Sequence, residues 1–143
     1  MIATVAVGTD GSDTAGKAVA AALDLAERFG ASLVVLSAYE RRAVGSPRLA
    51  GGSSWDADWA SNDATHAERV LAMAEESASA RGVRCSSAMA EGNPGEVLVN
   101  LAERHGADVL VVGSKGMERR ILSSVPNTVT HKAPCSVLVV KST

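Results

Sequence analysis

Residues 92–116, "GNPGEVLVNLAERHGADVLVVGSKG", decide the fold. Asn93 can cap a helix, Pro94 suits its first position and Glu96 supplies the capping-box acid. Val97, Leu98, Leu101 and Ala102 then fall on one helical stripe, and Gly106 is a stop signal. The next run, 108–113, is almost continuously apolar, as expected of a strand covered on both faces. A glycine-bearing polar turn follows it. A capped helix leading into a doubly buried strand is half of a βαβ unit.

The same grammar repeats outward from this segment. Strand-like runs occur at 2–8, 32–39, 83–90, 108–113 and 135–140. Between the first two, Val19, Leu23, Ala26 and Phe29 form a helical stripe, with Ser12 as cap and Gly30 as stop. Ala67, Val70, Leu71, Ala74 and Ala78 form another, ended by Gly82. The alternation βαβαβαβαβ predicts right-handed crossovers and an α/β fold: an open five-stranded parallel sheet with helices on both faces. The expected strand order is 3-2-1-4-5, in a single domain spanning 1–143.

Composition narrows the function. The 14 Lys plus Arg nearly balance the 16 Asp plus Glu, so no general positive field exists to hold nucleic acid, and any anion site must be local. Two cysteines, Cys85 and Cys135, argue against a disulfide scaffold and for a reducing compartment. The opening "MIATVAVGTDGSD" has no basic n-region, and its apolar run is too short for a bilayer. The expectation is a soluble cytoplasmic protein with no membrane partner.

Ligands of open parallel sheets gather beyond the carboxyl ends of the strands, where strand order reverses. Two strand exits have unusual composition: "VGTDGSD" at 7–13 and "VGSKG" at 112–116. Gly113 and Gly116 let the backbone approach a phosphate closely, and a helix start near Ser123, Ser124, Val125 and Pro126 can offer free amides and hydroxyls to it. Lys115, Arg119 and Arg120 either add charge there or are simply solvated. Asp10 either accepts hydrogen bonds from an adenine amino group or ribose hydroxyl, helps hold a divalent ion, or closes an Asx turn before Gly11 and Ser12. Ala38 and Tyr39, with Met89 and Ala90 nearby, can line a base pocket or pack structurally. The segment 41–56, rich in Gly, Ser, Pro and Arg, reads as a long surface loop, with Trp55 and Trp59 either anchoring it or covering a ligand. No Walker A or G-x-G-x-x-G pattern is present, which disfavours a P-loop hydrolase or a Rossmann dehydrogenase.

Taken together, "TVAVGTDGSDTAGKAVAAALDLA", "EGNPGEVLVNLAERHGADVLVVGSKG" and "SSVPNTVTHKAPCSVLVV" resemble the universal stress protein family, in particular a small single-domain bacterial member. The resemblance implies an adenine nucleotide alpha hydrolase-like sheet with four helices and, commonly, a homodimer through the last strand, here 135–140. Many members bind ATP, some bacterial ones prefer cyclic AMP and others bind no nucleotide. By position, it assigns the adenosine side to Asp10 and Ala38, with Gly8 and Val112 giving backbone or packing. The family's phosphate motif is G-x2-G-x9-G-[ST]. Gly113, Gly116 and Ser124 match it, whereas Ser123 replaces the third glycine and only six residues separate it from Gly116.

The resulting expectation is a stress-response sensor or carrier of an adenine nucleotide, ATP before cyclic AMP, with Mg2+ as an accompanying ion where phosphates require it. The alternatives are a nucleotide-free dimer that works through an unknown protein partner, and a slow ATPase using Asp10. His66, His105 and His131 show no metal-ligand spacing, so no metal site and no dedicated catalytic residue is assigned.

Overall fold

The computed structural model describes residues 1–40, 63–114 and 125–141. Five strands run β1 Thr4–Gly8, β2 Ser32–Tyr39, β3 Cys85–Glu91, β4 Val109–Gly113 and β5 Ser136–Val140. They are joined by α1 Asp13–Phe29, α2 Ala64–Ala80, α3 Pro94–Arg104 and α4 Val125–Lys132. Every strand pair is parallel, in the order β3-β2-β1-β4-β5. The expected topology is therefore the observed one.

That order has a physical consequence for the helices. The chain steps outward from β1 to β2 and β3, then returns past β1 to β4 and β5. Right-handed crossovers in opposite directions must lie on opposite faces of the sheet. Accordingly, α1 and α2 cover one face over Val5, Val7, Leu33, Val35, Val109 and Val111. On the other face, α3 and α4 cover Ala6, Val34, Leu36, Leu110 and Val112.

Most helix boundaries follow the local signals. Ser12 Oγ accepts from Ala15 N at the start of α1, Gly30 ends it at φ 63°, and Asn93 Oδ1 accepts from Glu96 N with Pro94 opening α3. The stripes of α2 and α3 are buried as read. The α1 stripe needs correction: Ala18 and Ala22 are fully buried, whereas Phe29 is 56% exposed. Small residues face the sheet there because α1 sits directly over β1 and β4. β2 begins where its run was read, whereas the other four strands begin one to two residues later than their apolar runs. Val83 is a buried core residue and Ile2 a partly buried one packed against the core, and both precede their strands rather than belonging to them.

At the amino edge of the sheet, Asp108 Oδ2 accepts from the amides of Ala3 and Thr4, at 2.8 and 3.0 Å. This carboxylate fastens β4 to the incoming end of β1, and the amide bonds hold its pKa below the usual carboxylate range. No helix among the described residues is long and apolar enough to cross a membrane.

Candidate functional site

The switch point lies at β1, which pairs with β2 on one side and β4 on the other. Val7 is in register with both Val35 and Val111, so the β1 and β4 exits leave the sheet side by side. The two unusual turns read from the sequence therefore share one edge.

The β1 exit is held by a chain of hydrogen bonds. Thr9 N donates to Leu36 O at 3.0 Å, and Ser37 Oγ donates to Thr9 O at 2.9 Å. Thr9 Oγ1 accepts from Gly11 N, and Asp10 Oδ1 accepts from Ser12 N at 2.9 Å. The Asx turn anticipated for Asp10 is thus formed. It occupies one carboxylate oxygen only. Asp10 is 7% exposed, and Oδ2 has no hydrogen-bond partner among the described residues. A nearly buried carboxylate retains its second oxygen at such a place only at a cost, unless a donor meets it.

Helix α2 supports this turn from outside. His66 Nε2 lies 3.2 Å from Asp10 O, and because a carbonyl only accepts, Nε2 carries the hydrogen. Gly11 has φ +84°, and a Cβ there would lie 2.6 Å from Val70 Cγ2. The turn needs glycine both for its backbone and for the approach of α2.

The other assigned residues divide between packing and access. Gly8 faces α3, where a Cβ would lie 2.6 Å from Leu98 Cδ1, so its missing side chain makes room for a core leucine. Val112 and Val125 are both buried in the same layer. Ala38, also buried, is in register with Ala90 on β3. Gly113 is partly exposed at the end of β4, in register with Val140, and Ser114 N donates to Val140 O at 2.8 Å. Val125 opens α4 with Pro126 second, where a missing amide hydrogen is harmless. Gly116, Ser123 and Ser124 lie outside the described residues, as do Lys115, Arg119, Arg120, Trp55, Trp59 and the segment 41–56.

Sequence reasoning overlooked three contributors. Ser37 carried a usable signal, being the polar residue that interrupts the apolar run of β2. His66 and Val70 carried none, since only the fold brings α2 onto the β1 exit. Burial, and secondarily the Glu75 carboxylate, pushes the Cys85 thiol up to about 11, and burial also raises Cys135, so both favour the thiol over the thiolate. Among the described residues no cluster of His, Cys, Asp and Glu has the makings of a metal site.

Comparison with known proteins places this geometry in a lineage. Universal stress protein YxiE of Bacillus subtilis is 31% identical, over 94% of this chain and 96% of its own length. Universal stress protein Rv1636 of Mycobacterium tuberculosis is 35% identical, over 98% of this chain and 97% of its own. A crystal structure of a universal stress protein in complex with cAMP superimposes with a TM-score of 0.76 at 30% identity, covering 99% of this chain and 98% of that one. The universal stress protein family itself matches residues 1–141, and the chain belongs to that family.

Proposed function

We propose that the protein binds an adenine nucleotide at the shared exit of β1 and β4 and acts as a stress-response sensor or carrier. The observation that carries this reading is Asp10, a nearly buried carboxylate at the switch point with one oxygen used by its own turn and the other without a partner among the described residues. An adenine amino group or ribose hydroxyl supplies the donor that this oxygen lacks. The backbone around Gly113, and the segment carrying Gly116, Ser123, Ser124 and Val125, is assigned to the phosphate side.

Cyclic AMP replaces ATP as the first nucleotide to test. A solved relative at 30% identity is complexed with cAMP, and the six-residue spacing between Gly116 and Ser123 leaves a shorter phosphate segment than the family motif for triphosphate binding. ATP with Mg2+ stands second, and slow hydrolysis through Asp10 third. Calorimetric titration of ligand-stripped protein with cyclic AMP, AMP, ATP and GTP tests the proposal. Saturable binding of an adenine nucleotide, weakened at least about tenfold in Asp10→Ala, is the expected result. Absence of saturable binding by every adenine nucleotide overturns it.

A second reading, compatible with the first, is a homodimer through β5. This strand is at the sheet edge, and Leu138 on it is 39% exposed. Pairing with the same strand of a second copy would satisfy an apolar edge symmetrically. Sedimentation that gives a monomer at all accessible concentrations excludes it.

A further inference from the structure

On the face opposite α3 and α4, helices α1 and α2 stand apart over the sheet and leave a groove of about 370 Å³ between them. Its walls are Val19, Leu23, Val70, Met73 and Ala74. Met73 is 65% exposed there, although it lies on the groove side of α2. The groove begins at Ser12 and His66 and extends to Leu23 and Ser77, which along α1 is about 16 Å at 1.5 Å per residue. One turn beyond, Arg81 bridges the two helices through Asp24 at 2.7 Å and Glu27 at 3.3 Å. The far end is therefore bridged, and among the described residues the groove is open at the helix N-termini.

Two features distinguish this groove from a packing gap. The first is Gly16, in the body of α1. Glycine is a poor helix former, yet Gly16 has no left-handed φ to explain it, and a Cβ built there would meet nothing within 4 Å. Neither backbone conformation nor a close neighbour requires glycine, while its missing side chain widens the groove. The second is charge. Among the described residues, Arg69 is the only formally charged one lining the groove, no acidic residue lines it, and Arg69 has no ion-pair partner. Helical side chains lean toward their own N-terminus, which directs Arg69 toward the entrance.

We infer that this groove binds a single medium-chain fatty carboxylate, with the alkyl chain between α1 and α2 and the carboxylate at the Arg69 end. The volume falls within the range of about 300 to 1,000 Å³ usual for small-molecule sites, and the length suits a chain of about ten to twelve carbons. Apolar walls with a cation at the mouth that is unpaired among the described residues match an anionic amphiphile and oppose a cationic one. The mouth of the groove shares Thr9, Gly11, Ser12 and His66 with the turn that presents Asp10, whereas its apolar walls and Arg69 take no part in the nucleotide reading.

Calorimetry with sodium dodecanoate below its micellar concentration tests the assignment. One saturable site is expected. Arg69→Gln should weaken it about tenfold while changing dodecanol binding by less than about twofold. Gly16→Leu, which adds helix propensity and fills the groove, should abolish binding without lowering Tm. If Gly16→Leu does not fold, Ala20→Phe gives the same obstruction from the next turn. Four results overturn the inference: no saturation up to about 1 mM, equal affinity for dodecyltrimethylammonium, unchanged affinity in the folded groove-filling variant, or binding to anionic vesicles alone.

Discussion

Gly11 and Val70 meet with no room for a methyl group between them: a Cβ on Gly11 would lie 2.6 Å from Val70 Cγ2, on a backbone at φ +84°. Gly11→Ala therefore combines a left-handed conformation with overpacking against α2. The expected destabilisation is about 2–4 kcal/mol by urea unfolding. Gly11→Ala in a Val70→Ala background should recover the packing part but not the backbone part, so the double variant remains less stable than Val70→Ala alone.

Gly8 and Leu98 form the corresponding contact on the other face. Leu98 is fully buried, so Leu98→Ala should cost about 2–5 kcal/mol through lost burial and the cavity left behind. Gly8→Ala alone should cost about 1–3 kcal/mol by crowding Leu98. Together the two changes should cost clearly less than their sum, because the new methyl group enters the space that the leucine vacates. Strict additivity would mean that the two sites do not touch.

Ser37 is buried and donates to Thr9 O, tying β2 to the turn that presents Asp10. Ser37→Ala removes that donor from a buried carbonyl and should destabilise by about 1–3 kcal/mol. The same variant should weaken nucleotide binding beyond what a lowered folded fraction explains, measured at a temperature where both proteins are fully folded. Unchanged affinity there would separate the turn's geometry from the ligand.

Cys85 is expected to resist alkylation. With its thiol pushed up to about 11 from 9.0, its thiolate fraction at neutral pH is about 100-fold below that of an ordinary thiol. In a Cys135→Ser background the iodoacetamide rate should therefore climb about tenfold per pH unit until near pH 11. Glu75, whose carboxylate is hydrogen-bonded by Ser87, contributes the smaller part of the effect. Glu75→Gln should move the profile to lower pH without restoring ordinary reactivity.

Asp108 supplies an acid-side dependence. Its folded pKa is depressed, so its contribution is complete above the unfolded value of about 4 and is lost as pH falls through the folded one. Asp108→Asn should be less stable than the parent at neutral pH, and the difference should shrink on acidification below about pH 4. A difference independent of pH would show that the charge plays no part.

How far these features were legible depends on whether they are local. Caps at Ser12 and Asn93, the stop at Gly30 and the buried runs of β2 and β4 are set by neighbours in the chain, and all were readable. Adjacency of the β1 and β4 exits was expected only if the strand order is 3-2-1-4-5, which alternation alone does not fix; the pairing of Val7 with Val111 shows it. The Phe29 misreading arose because a stripe counted from large residues overlooked that close helix-to-sheet contact selects Ala18 and Ala22. His66 against Asp10 joins residues 56 positions apart, and Gly95 needs to be small only because Thr128 of α4 crosses it. Such pairings exist only after the crossovers have formed, and no periodicity announces them. Gly16 stands out for the opposite reason, being a helical glycine where an added Cβ would meet nothing within 4 Å.

Alternation along β1 sends Val5 and Val7 into one hydrophobic layer and Ala6 and Gly8 into the other, with the sheet as the wall between them. The protein thus has two interiors that share almost no atoms. Drift in one is insulated from the other: α1 and α2 can be remodelled while the neighbours of Leu98 and Val129 keep their shape. A lineage built on this plan can acquire new surface specialities on one side without renegotiating what the opposite side already does.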